Sequence, residues 1–171
     1  MTVRVYRSSD ASAPVLRGNT PGDLINVLEK CLVTGYGSKA GAGWTKPYTG
    51  TNVAAFRQGA GSNGMYLRID DTSTAAGDRA ARIVGYETMS DVNTGAPQSF
   101  PTAVQRSGGE YVWTKHSSST AANAREWIVW ADEKLFYMYI NPYPERGAGL
   151  QKYYNQFWGF GDINSYKTGL S

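Results

Sequence analysis

Chemistry in a chain of 171 residues would have to come from its nucleophiles, acids, bases and glycine loops, and this sequence offers few of them. The one histidine, His116, lies in KHSSST beside Ser117–Ser119. A serine nucleophile needs a base, an orienting acid and a strained, positioned backbone. No G-x-S-x-G elbow is present, so the polar run reads as a solvated loop. A single histidine also rules out a histidine metal cluster and a two-histidine proton relay. Cys31 is the one cysteine, which excludes an intrachain disulfide and a cysteine metal site. Its place on an apolar stripe reads as a small buried hydrophobe rather than a nucleophile.

The acids Asp70-Asp71 and Asp132-Glu133 come as sequence neighbours. Catalytic carboxylates face one another across a cleft, whereas successive strand positions point to opposite faces. Calcium would require alternating oxygen ligands, and DDTSTAAGD lacks that pattern. Both pairs therefore read as solvated turn acids. Gly35-x-Gly37 and Gly41-x-Gly43 suggest a phosphate loop only superficially. Such a loop lies between a strand and a helix N-terminus, where free amides converge; these glycines follow a helix and precede an extended run. The expectation is a non-enzymatic protein with no catalytic residues, no cofactor and no metal site.

The elements that would carry any site begin with a helix over about 21–33. Leu24, Val27, Leu28, Cys31 and Leu32 fall at i, i+3, i+4, i+7 and i+8 and form one apolar stripe. Asn26, Glu29 and Lys30 take the wet face. Thr20 suits the N-cap, Pro21 the first helical position, and Asp23 the positive end of the dipole; Gly35 and Gly37 end the helix. Around it, alternation predicts strands over 2–6, 65–70, 79–86, 110–115, 127–131 and 134–140. Residues 64–87 and 127–140 read as hairpins. Residues 87–109 read as irregular, with Phe100 and Val104 packing the loop. Ser8–Gly18 is an extended crossing segment.

The sum is a β-rich α+β fold, a mostly antiparallel sheet or sandwich of about seven to nine strands with one amphipathic helix packed on it. The length suits one domain over 1–171, with a strand and extended arm over 1–18 and an aromatic segment over 141–171. Aromatics make up 13% of residues, including 12 Tyr and 5 Trp, which favours sheets and adhesive surfaces. The net charge of +3 is too mild and dispersed for a nucleic-acid binder. No run approaches the roughly 20 apolar residues that cross a membrane, and MTVRVYRSSD has no signal-peptide core. Near the end, Tyr143, Tyr153, Tyr154, Phe157 and Trp158 crowd together. Alternation in YYNQFWGF cannot bury them all on one face, so they are the candidate protein interface.

Two blocks carry a resemblance. One is LINVLEKCLVTGYGSKAGAGWTKPYTGTNVAAFRQG followed by GMYLRIDD. The other is ARIVGYETMSDVNTGAPQSFPT, continued by REWIVWADEKLFYMYI and FWGFGDINSYKTG. Together they resemble a family of virion structural proteins of tailed bacteriophages. The resemblance implies a subunit made in the host bacterial cytoplasm and located in the virion. Its partners would be the major capsid protein or tail proteins and further copies of itself, with no nucleic acid and no membrane. Capsid decoration suits a short non-enzymatic chain best. A tail or baseplate protein comes next, and a carbohydrate- or receptor-binding module is the rival of another class.

Overall fold

All five stripe residues, Leu24, Val27, Leu28, Cys31 and Leu32, are completely buried in the computed structural model, which describes residues 2–72, 80–115, 122–141 and 155–162 apart from the Gln98 side chain. Helix α1 (Asp23–Glu29) carries the first half of the stripe, and a π-helical turn over Lys30–Thr34 carries the rest. The helix starts later than Thr20 and Pro21 suggest. Gly22, at φ 83°, precedes the first helical residue and offers no side-chain cap. The cap comes from elsewhere: an Asp71 carboxylate oxygen accepts the Leu24 N–H at 3.0 Å. Asp23 does not reach back to the helix amides. Its carboxylate accepts instead from Arg17, through the backbone N–H at 2.9 Å, Nε at 2.8 Å and Nη2 at 3.1 Å.

Leu28→Ala removes a completely buried side chain and should destabilise the protein by about 2–5 kcal/mol through transfer and cavity costs. Asn26→Ala, on the exposed side, should stay within about 0.5 kcal/mol of the parent. Thermal unfolding checks this, and equal shifts for the two variants would contradict the assigned face.

Ten strands accompany the helix among the described residues: β1 (Arg4–Arg7), β2 (Thr45–Gly50), β3 (Val53–Arg57), β4 (Tyr66–Asp70), β5 (Ala80–Asp91), β6 (Thr94–Phe100), β7 (Tyr111–Thr114), β8 (Glu126–Ala131), β9 (Leu135–Asn141) and β10 (Gln156–Gly161). They form two antiparallel sheets. One has the order β1-β8-β9-β10; the other runs β2-β3-β4-β5-β6, with β7 also paired to β5. The expected β-rich α+β architecture is borne out, as are the β4–β5 and β8–β9 hairpins.

Residues 87–109 differ from expectation. β5 continues to Asp91 and turns through Val92 and Asn93 into β6, with Asp91 opposite Thr94. Arg68 holds that turn, donating from Nε to the Val92 carbonyl and from Nη2 to Asn93 Oδ1, both at 2.8 Å. Pro97 and Gly95 disguise β6 as a loop, but the strand lies at the sheet edge, where a missing N–H is tolerated. Val104 packs nothing, being 97% exposed. Phe100 does pack, stacking on Phe160 with ring centroids 5.9 Å apart.

The inner faces of both sheets and the helix share one apolar core. Trp127, Val129, Phe136, Met138 and Ile140 enter it from one sheet, and Phe56, Leu67, Ile69, Ile83 and Trp113 from the other. Trp44 ties the three parts together. It lies edge-on against Phe136, and its indole N–H donates to the Asp132 carbonyl at 2.7 Å. The preceding loop closes the helix end, with the Ala42 N–H on the Cys31 carbonyl and the Gly43 and Trp44 N–H groups on that of Leu32, each at 3.0 Å.

Candidate functional site

Antiparallel register places side chains of paired residues on the same face, and this fixes what the four-stranded sheet shows outward. One row across it reads Arg7, Ile128, Tyr139, Phe157; the next reads Val5, Trp130, Tyr137, Gly159. The alternate residues Tyr6, Val129, Met138 and Trp127 are buried, so the outward rows are the solvent-side half of each strand. Phe157 is 60% exposed and Val3, which leads into β1, 58%. Phe157 stacks on Tyr137 with ring centroids 5.4 Å apart and planes 14° apart, and its ring approaches Trp130 at 6.4 Å. Gly159 makes that stack possible. A Cβ there would come within 2.6 Å of Tyr137 Cδ1, so any side chain would push the Tyr137 ring off the strand.

The aromatic C-terminal segment thus divides its residues between two roles. Phe157 stays on the candidate surface. Trp158 leaves it: alternation turns its ring inward, where it stacks on Trp113 at 4.6 Å with planes 9° apart. The segment does not lie across a face of the β8–β9 hairpin. It pairs instead with β9 and widens the sheet, from Gln156 opposite Ile140 to Gly161 opposite Leu135. Tyr143, Tyr153 and Tyr154 lie outside the described residues, as do His116 and Ser117–Ser119. The contributions of Val5, Ile128, Trp130, Tyr137 and Tyr139 were missed. Their signal was present in β8 and β9, whose bulky residues occupy both faces of each strand.

Asp71, Lys115 and Asp132 serve architecture. Asp71 is not a solvated turn acid. It and Lys115 are both completely buried and form an ion pair. Lys115 Nζ also donates to the Thr20 carbonyl at 3.1 Å, and the Asp71 backbone carbonyl accepts the Gly22 N–H at 3.3 Å. Burial pushes the Asp71 carboxyl up to about 6, against the opposing pull of the Lys115 ammonium and the Leu24 and Gly22 amides. Asp132 is also buried rather than solvated. Its Oδ1 accepts the Lys134 and Leu135 N–H groups at 2.7 and 3.0 Å, closing the β8–β9 turn. Asp70 is half-buried and accepts from Thr72.

Cys31 is buried as expected, and burial pushes its thiol well above the ordinary range, a state in which a thiol is inert. Among the described residues no group of three or more His, Cys, Asp or Glu side chains could hold a metal ion, and no helix is long and apolar enough to cross a membrane. No family model matches this chain, and no curated protein and no solved structure shows significant similarity to it.

Proposed function

We propose that this protein is a non-enzymatic structural subunit of a tailed-phage particle, located in the virion, that works through repeated protein–protein contacts. The observation that carries the reading is the outer face of the four-stranded sheet. Val5, Ile128, Trp130, Tyr137, Tyr139 and Phe157 stand there in adjoining register positions with the exposed Val3 just before β1, and the Phe157 ring stacks on Tyr137 and approaches Trp130. Tyr and Trp present large, stiff contact areas that lose little side-chain entropy when covered, and they dominate the energetics of protein interfaces. A contiguous apolar patch of this kind marks an interaction surface more often than scattered single residues do. The resemblance of the two sequence blocks to virion proteins supplies the setting. Capsid decoration fits best, with the major capsid protein as partner and neighbouring copies alongside.

Counting the chain by mass spectrometry in purified particles of the phage that encodes it tests this reading. Decoration predicts hundreds of copies in a fixed ratio to the major capsid protein. A handful of copies would move the subunit to the tail or baseplate, and its absence from particles would overturn the proposal.

A further inference from the structure

A cleft of about 510 Å³ opens where β10 meets the ends of β4, β6 and β9. Two aromatic pairs line it, Tyr137 with Phe157 and Phe100 with Phe160, the rings of the second pair nearly parallel at 6°. Asp162 and Asn63 supply the polar part of the lining. The Asp162 carboxylate is fixed in place: Oδ1 accepts the Gln58 Nε2 and Oδ2 the Asn63 backbone N–H, both at 2.9 Å. Gln58 is itself buried and braced, its Oε1 accepting the Met65 N–H at 2.9 Å and its Nε2 also donating to the Lys134 carbonyl.

Both donors to Asp162 are neutral, and among the described residues no ammonium or guanidinium pairs with it. The cleft therefore holds a carboxylate that has no cationic partner among the described residues, in a lining that also carries four aromatic rings. That combination attracts positive charge twice over, by charge-assisted hydrogen bonding to the carboxylate and by cation–π attraction to the rings. We propose that this cleft binds an organic cation, a guanidinium or alkylammonium group whose charge meets Asp162 and whose flat or methylated surface lies against Phe157 and Phe100. The cleft shares Tyr137 and Phe157 with the proposed contact face, but its test uses the isolated protein and a small ligand, so failure here and failure of the particle assignment are distinguishable.

The test is a titration of the full chain, followed by NMR shifts or calorimetry, with two cations and their neutral isosteres. The cations are N-acetyl-arginine amide and choline; the isosteres are N-acetyl-citrulline amide and 3,3-dimethylbutanol. The expected result is binding of at least one cation, weakened by added salt, with its isostere roughly tenfold weaker or more. Preference for the arginine derivative identifies a protein side chain as the natural occupant, and preference for choline a free quaternary ammonium. Asp162→Asn should reduce cation binding roughly tenfold or more. Since that variant also disturbs the Gln58 brace, Phe100→Leu serves as a second probe, expected to weaken binding of the cations while the Tm stays within a few degrees. The proposal is overturned if the isosteres bind as well as the cations, if chitooligosaccharides bind in their place, or if no cation binds.

Discussion

Lys115→Met destabilises the protein by about 3–5 kcal/mol near neutral pH, the cost of leaving the Asp71 carboxylate buried without its partner. The side chain it replaces is completely inaccessible and touches both Asp71 and the Thr20 carbonyl. The loss depends on pH with a definite sign. Asp71 already sits at about 6 in the folded protein against an ordinary 3.8, so the fold holds its proton more tightly than the unfolded chain does. Its contribution to stability is full below the ordinary value and is lost as pH rises through the folded one. Removing the Lys115 ammonium raises the folded value further. The gap between parent and Lys115→Met is therefore small near pH 4 and widens toward pH 8. Adding Asp71→Asn to Lys115→Met should restore more than half of the loss, because an amide carbonyl still accepts the Leu24 N–H and no buried charge remains. Urea unfolding of the three variants across that pH range measures this, and a pH-independent loss would contradict the assignment of Asp71.

Trp44→Ala should cost about 3–5 kcal/mol, the range for deleting a buried aromatic side chain. Trp44 is nearly inaccessible; it packs on Phe136 and Phe160 and donates to the Asp132 carbonyl. It also follows the loop whose amides close the helix end, so its loss loosens the helix and the β8–β9 turn together. Trp44→Phe keeps most of the ring and removes the donor, leaving the Asp132 carbonyl short of a partner for about 1–3 kcal/mol. Midpoints of urea unfolding with unchanged slopes separate the two effects. Equal losses for the two variants would show that packing against Phe136 contributes little.

Period-2 and period-3.6 patterns made much of this fold legible. The alternation Met65-x-Leu67-x-Ile69, the helix stripe from Leu24 to Leu32 and the strand-turn-strand pattern of 127–140 each correspond to an element whose burial follows the pattern. Where the reading failed, the deciding partner was distant in sequence. Asp70-Asp71 looks like a wet turn because Lys115, which neutralises Asp71, lies 44 positions away. A separation of 47 positions likewise hid the helix cap, since local sequence offers Thr20 and the fold uses Asp71. β6 was obscured for another reason: Gly95, Pro97 and Pro101 are turn residues by composition, and only pairing with β5 at an edge makes the segment a strand. The aromatic surface was half legible. Crowded rings in YYNQFWGF required that some face outward, and Phe157 does. That Trp130, Tyr137 and Tyr139 stand beside it depends on β10 joining β9 edge to edge, which no local pattern specifies.

If the outer aromatic face makes the protein's contacts, Trp130→Ser combined with Val3→Ser should abolish them. Both residues stand on that face and outside the cleft lined by Asp162. The measurement pairs the melting temperature of the purified variant with its binding to particles that lack the protein. The expected result is a Tm lowered by only a few degrees, as half-buried and exposed positions allow, together with loss of particle binding. Unchanged binding by a folded variant would contradict it.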